Sequence, residues 1–303
     1  MPSKHQLPFS HRPAKGSRAV PIAEVLGIQH HYLDVIGWRI HCAASGEGPP
    51  VLLIHGLGAS WHWWLPTMRD LARDHAVYAV DLPGAGESSP LQAPPTGAEQ
   101  AQLVSQVIER LGVSSVAVIA HSLGGYVALQ AVIRKVQGIG SLAVVAPGGV
   151  GPINHQLLRL ISAPLLGEAF QLRLSRVALR AFLKSFVHNP EFITDEVLAW
   201  SVASLSKKAN RMQFLYQLRL AADAEPIDEI LEKHGSPASS VPIQIYWGRH
   251  DPLFPVDYAY HLQEQLGAPP PVIFEHSGHI PQVEEAGAFN AALRSFLQGT
   301  LQM

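Results

Sequence analysis

Residues 115–132, SVAVIAHSLGGYVALQAV, run from an apolar, partly β-branched stretch straight into one of helical character, and Ser122 stands at the join. The first half reads as a strand buried on both faces, because nothing in it alternates with polar residues. The residues around the corner are Ala120, His121, Ser122, Leu123 and Gly124, small at both ends, so strand and helix can pack closely about it. A strand-turn-helix of the form small-x-Ser-x-Gly matches the nucleophile elbow, in which a strained turn lifts the serine hydroxyl above a sheet edge. The helix N-terminus adds partial positive charge and free N–H groups where an oxyanion would form. The five letters alone are weak, since a serine that starts a helix is also an ordinary N-cap. The strand before and the helix after are what raise the reading.

Outward from this corner, PPVLLIHG, HAVYAVDLPG and SLAVVAPGG are further short apolar runs that end in turn residues, and helix-length stretches at 63–73, 98–111 and 122–135 lie between or beside them. Strand and helix in alternation predict a parallel, doubly wound sheet. Ahead of it, HHYLDVIGWRIHCAAS alternates as two antiparallel strands turning near Ile36 and Gly37. The alternation stops near Gly149, resumes with VPIQIYWGRHD, and continues through a helix at 256–266, PPVIFEHSGH and a closing helix at 281–297. A helical insertion, 151–226, therefore interrupts one sheet domain formed by 28–150 and 227–303.

Serine is a poor nucleophile unless a base takes its proton and a third group orients that base. Such partners belong at the carboxyl ends of later strands, where open α/β sheets bind ligands. Asp251 in YWGRHDP and His279 in FEHSGHIP occupy those places, and the order Ser122, Asp251, His279 is the chain order of this triad type. His276 is a nearby decoy, and Asp223, Asp228 and Asp257 are rival acids beside or within helical stretches.

Composition bounds the alternatives. The 303 residues are 47% hydrophobic and only 15% charged, against about 25% charged in an average soluble domain, which suggests an apolar cleft or lid. A formal net charge of -2 offers no electrostatic footprint for nucleic acid. The single cysteine, Cys42, excludes an internal disulfide and a Cys-rich metal site, and neither cofactor nor metal is expected. No run approaches the roughly 18 apolar residues of a membrane span, and residues 1–27 contain no apolar core of a secretory signal. They are expected to form a poorly ordered arm on a cytoplasmic protein.

Taken together, HGLGAS, DLPGAGES, AHSLGG, WGRHD and SGHIPQVE resemble, in the right order, the oxyanion loop, the Gly-rich turn, the elbow, the acid turn and the histidine loop of the α/β-hydrolase family. The resemblance implies a mostly parallel eight-stranded sheet, an inserted helical cap and a Ser-His-Asp triad. Ser122 then matches the nucleophile, His279 the base and Asp251 the orienting acid, with Leu57 and Leu123 as the backbone N–H donors. His55, Gly56, Asp81, Gly84, Gly86 and Ser88 read as scaffolding. The serine departs from the aspartate nucleophile of the family's epoxide hydrolases and dehalogenases, and HGLG departs from the HGGG loop of lipases and esterases. Carboxylesterases, lipases, thioesterases, carbon–carbon bond hydrolases of ring-cleavage pathways, perhydrolases and non-hydrolytic binders of the fold stay open, because the core motifs do not separate them.

Substrate contacts are expected from Trp61, Leu165, Phe186 and Phe214. Trp63 and Trp64 are alternatives to Trp61 on the core side, and Leu157, Leu158, Leu166, Phe170 and Phe182 are further candidates in the cap. The expected partner is a small, largely apolar molecule. Between Gln156 and His188 the cap carries Arg159, Arg173, Arg176, Arg180 and Lys184 against Glu168 alone. That excess reads as a solvated helix face, as an attractor of anionic substrates, or as a weak contact with an acidic membrane surface. Arg249 reads as one half of a scaffold ion pair, with binding of a substrate carboxylate as the alternative.

Overall fold

The computed structural model describes residues 27–93, 95–163, 175–205, 208–237 and 241–300. All but the last residue of the expected N-terminal arm lies outside them. The first hairpin pairs β1 (Gln29–Val35) with β2 (Trp38–Ser45). Ile36 and Gly37 turn the chain with φ of 48° and 76°, a pair of left-handed residues that matches the right-handed twist of the strands it joins.

Six more strands complete one sheet: β3 (Pro50–Ile54), β4 (Ala76–Val80), β5 (Val116–His121), β6 (Ile139–Val145), β7 (Ile243–Gly248) and β8 (Val272–Phe274). Their order is β1-β2-β4-β3-β5-β6-β7-β8. β1, β2 and β4 run antiparallel to their neighbours on that side, and from β4 to β8 all pairings are parallel. β3 connects leftward to β4, whereas the chain returns across the sheet to enter β5. The crevice outside the carboxyl ends of β3 and β5 is therefore the switch point at which such sheets bind ligands. Residues 55–57 leave β3 there, and Ser122 leaves β5.

The helix that follows, Leu123–Ile133, is buried around almost its whole circumference, which explains why its sequence lacks an amphipathic stripe. The preceding helix, Gly97–Leu111, shows the opposite pattern. Thr96 and Glu99 close a reciprocal capping box at its start, and Gly112 ends it in the left-handed conformation. Two expected helices differ in detail. The one expected at 63–73 opens as a 3-10 turn, Trp61–Trp64, before the α-helix Leu65–Leu71. The closing helix is broken into Pro281–Glu284 and Ala286–Thr300, because Glu284 and Glu285 both turn their carboxylates back onto the histidine loop.

Between β6 and β7 the described residues contain helices and no strand: Gln156–Ser162, Arg176–Lys184, the short turn Pro190–Phe192, Asp195–Leu205, Lys208–Ala222 and Ile227–His234. Helix Lys208–Ala222 is clasped to the turn after β4. Gln217 donates to the Pro83 carbonyl at 2.6 Å, and Gln213 accepts from the Leu91 N–H at 3.0 Å. Its Phe214 also presses on the loop after β3, where a Cβ added to Gly58 would sit 2.7 Å from the phenyl ring. The helical segment thus closes over the carboxyl ends of the central strands.

Candidate active site

Ser122 has φ 54° and ψ -117°, a conformation that L-residues other than glycine rarely adopt and that persists only when the surroundings over-determine it. Three hydrogen bonds do so. Its N–H donates to the Val145 carbonyl at 2.9 Å, and its carbonyl accepts from Tyr126 and Gly148 at 3.0 and 3.1 Å. The corner is also too tight for a larger neighbour. A Cβ on Gly124 would lie 2.5 Å from the His55 carbonyl oxygen and 2.6 Å from that of Ile54, both rigid backbone. We expect Gly124→Ala to lower stability by about 3 kcal/mol or more, read from urea unfolding. An unchanged midpoint would show that helix and strand are not held this close.

The strained corner aims the Ser122 hydroxyl at a histidine. Ser122 Oγ lies 3.0 Å from His279 Nε2, and His279 Nδ1 lies 2.8 Å from Asp251 Oδ2. A carboxylate only accepts, so Nδ1 carries the proton and Nε2 presents its lone pair to the hydroxyl. The second oxygen of Asp251 accepts from the N–H groups of Leu253 and Phe254 at 2.8 and 3.0 Å. The side chain of Asp251 is fully buried, and these bonds leave its carboxylate no freedom to turn. The arrangement supplies what nucleophilic serine chemistry requires: hydroxyl, base and a group that orients the base.

The rival residues are occupied elsewhere. His276 is exposed, with its backbone N–H on Glu285. Asp228 faces His261 at 3.4 Å, Asp257 opens the helix Asp257–Leu266, and Asp223 is exposed. Arg249 forms a two-pronged ion pair with Glu275 at 2.9 and 2.7 Å.

Two residues that the sequence reading left unassigned hold the histidine loop. Glu284 is 3% exposed. One of its carboxylate oxygens accepts from the N–H groups of Gly278 and Ile280, on either side of His279, and the other from His188 at 2.7 Å. Burial pushes its carboxyl above the ordinary range, against the pull of those N–H donors. His121 donates from Nε2 to the His279 carbonyl at 2.9 Å, and burial, with His279 beside it, holds its imidazole well below the usual value. The only signal for Glu284 in the sequence is a charged residue five positions after His279 on a segment otherwise fit for burial. The His279 N–H donates to the Phe186 carbonyl at 2.9 Å, so the inserted helical segment holds this loop as well.

Behind the loop after β3, His55 accepts the Leu82 N–H on Nε2 at 3.0 Å and donates from Nδ1 to the Gly56 carbonyl at 2.7 Å. That shapes the turn presenting Leu57. Leu57 and Leu123 both border the cavity beside Ser122. Leu123 is the first helical residue, whose N–H has no intrahelical acceptor.

The cavity measures about 330 Å3 and is lined by Leu158, Phe182, Phe186 and Phe214 of the helical segment, with Trp63 and Leu253 of the core, around Ser122 and His279. Of the four residues expected to touch substrate, Phe186 and Phe214 border this cavity. Trp61 is not among the described residues that border it: its ring stacks on His62, centroids 4.0 Å apart, and its backbone N–H donates to Asp81 at 2.8 Å, while Trp63 takes the lining position. Trp64 is fully buried against Phe289. Leu165, Leu166, Phe170, Glu168 and Arg173, and the side chain of Leu157, lie outside the described residues. Of the basic cap residues, Arg180 is committed to Asp195 and to the Ile193 carbonyl, and Arg159 donates to the Ile153 carbonyl at 2.7 Å. No helix among the described residues is long and apolar enough to cross a membrane.

Comparison with known proteins shows the fold family. The family model described as alpha/beta hydrolase fold matches residues 49–286. The chain is 30% identical over 272 residues to a pimeloyl-[acyl-carrier protein] methyl ester esterase of Vibrio parahaemolyticus, covering 86% of this chain and 98% of that one. It is 29% identical over 286 residues to the dihydrolipoyllysine-residue acetyltransferase component of the acetoin cleaving system of Cupriavidus necator, covering 89% and 69%. Among solved structures it resembles a membrane phospholipase A described as a bacterial virulence factor. The TM-score is 0.77 and the identity 25%, covering 93% of this chain and 89% of that one.

Proposed function

Because the chain belongs to the α/β-hydrolase fold family, we propose that it is a serine hydrolase cleaving an ester of a small, largely apolar acyl group through a covalent acyl-enzyme. The observation that carries this reading is the array Ser122–His279–Asp251, hydrogen-bonded end to end and opening on an apolar cavity. As Ser122 Oγ attacks the substrate carbonyl carbon, its proton passes to His279 Nε2, and the imidazolium is held by Asp251 through Nδ1–H. The carbonyl electrons move onto oxygen, where the N–H groups of Leu57 and Leu123 receive the developing charge. Collapse of this intermediate expels the alkoxide, which takes the proton from His279, and water repeats the sequence to release the acid.

The lining favours a neutral ester over an anionic dienoate of the kind carbon–carbon hydrolysis would take. Among the described residues that line the cavity there is no Lys or Arg, and a carboxylate buried without a partner is strongly disfavoured. A non-hydrolytic binder would keep the cavity without turnover. Labelling by a fluorophosphonate probe, lost in Ser122→Ala, separates the two, and absence of labelling in the wild-type protein would overturn the acyl-enzyme.

The cavity also sets a chain-length profile. Each buried CH2 is worth about 0.8 kcal/mol. We therefore expect kcat/KM for p-nitrophenyl esters to rise roughly tenfold for every two acyl carbons from acetate upward, until the cavity is full. A flat profile would remove the apolar acyl site.

A further inference from the structure

A second cluster of titratable side chains lies outside the Ser122 array, where the β1–β2 hairpin meets the turn after β4. Nitrogens of His30 and His41 and a carboxylate oxygen of Glu87 all lie within 4.8 Å of one another. In the hairpin register His41 stands opposite Tyr32, which places His30 and His41 diagonally on one face of the two strands. We propose that His30, His41 and Glu87 form a binding site for a divalent cation of the zinc class, with water in the fourth position.

The support behind each ligand favours this reading. His41 is fully buried and points Nδ1 at Asp81 Oδ2, 2.9 Å away. Its Nε2 is thereby left to face His30. A carboxylate behind a ligating imidazole is the arrangement that fixes ring orientation at metal sites. The Glu87 carboxylate accepts from the Tyr32 hydroxyl at 2.8 Å, and its backbone N–H donates to Asp81 at 3.0 Å. Asp81 thus anchors two of the three ligands. Two imidazoles and one carboxylate suit zinc and its late first-row neighbours, and they supply too few oxygens for calcium or magnesium.

Small adjustments are required, because the three ligand atoms lie within 4.8 Å of one another and tetrahedral ligands of one ion stand closer, about 3.3–3.5 Å apart. His30 Nδ1 and His41 Nε2 are 2.9 Å apart, whereas two nitrogens bound tetrahedrally at about 2.0–2.1 Å stand roughly 3.3 Å from each other. His30 is exposed, so its ring can move by that amount. The cation would join the edge hairpin to the turn after β4. Through Asp81, which also takes the Trp61 N–H, it would brace the segment that follows the Leu57 loop.

The test is calorimetric titration of zinc chloride into the chelator-treated, dialysed full chain, compared with His30→Ala and Glu87→Gln. The expected result is a one-to-one isotherm that each variant weakens tenfold or more. Cobalt(II) should give the intense visible bands of four-coordination in the wild-type chain and lose them in both variants. Metal-free melting temperature and ester turnover should match the wild type, since neither side chain touches the Ser122 array; Glu87→Gln keeps the test open if His30→Ala folds poorly. No zinc binding by the wild type, or isotherms unchanged in both variants, would overturn the site and leave His30 and His41 sharing a proton only.

Discussion

Ser122→Ala lowers kcat by about three to six orders of magnitude while leaving the fold intact. Among the described residues the hydroxyl bonds to His279 Nε2. The hydrogen bonds that fix the corner belong to the Ser122 backbone, and alanine keeps the same Cβ at the same φ. The substitution therefore removes the attacking oxygen and little else. The residual rate is what the oxyanion donors and substrate binding supply over water. The measurement is turnover of the best p-nitrophenyl ester, with thermal unfolding as the control for folding. A variant that retained a tenth of wild-type kcat would move the nucleophile elsewhere.

Asp251→Asn is the second large effect, about 10⁴-fold in kcat, and its geometry makes it informative. Asparagine keeps a carbonyl oxygen to accept from Leu253 and Phe254, the two N–H groups that Asp251 Oδ1 now satisfies. Its amide NH2 then faces His279 Nδ1 and donates where the carboxylate accepted. The imidazole answers by moving its proton to Nε2, the atom that faces Ser122 Oγ, and can no longer take the serine proton. The fold should survive because every backbone donor keeps its partner. Asp251→Ala would leave those buried N–H groups bare and confound catalysis with stability. A rate indifferent to Asp251→Asn would mean that another group orients His279.

How far the candidate site could be read from the sequence depends on the kind of information each residue carries. Ser122, Asp251 and His279 each follow a short apolar strand, and strands announce themselves by composition over five or six neighbouring residues. The parallel sheet then brings their carboxyl ends to one edge. Glu284 is different. Its function depends on the N–H groups of Gly278, Ile280 and His188 converging on one carboxylate, and His188 comes from 96 residues away. Nothing local marks such convergence.

The same distinction separates Trp61 from Trp63. Two indoles two positions apart on one short turn are equivalent to any local rule. What separates them is the set of rings around Trp61, contributed by His62 and by His30 and His41 of the distant hairpin, which take up that indole and leave Trp63 to border the cavity. The cluster of His30, His41 and Glu87 was illegible for a related reason, since it joins two strands of a hairpin to a turn more than 40 residues further on, with no spacing of the metal-binding kind.

By itself the sequence determined the parallel sheet, the antiparallel hairpin with its turn at Ile36 and Gly37, the strained corner at Ser122, and the chain order of serine, acid and histidine. These follow from periodicity, turn chemistry and steric size, all of which act between near neighbours. Only the tertiary structure decided which aromatic rings line the cavity, which carboxylate braces the histidine loop, and that two histidines and a glutamate meet where the first hairpin reaches the turn after β4. Those outcomes depend on where buried hydrogen-bond donors from distant segments find their acceptors, and that is settled only when the whole sheet and the helices above it have closed.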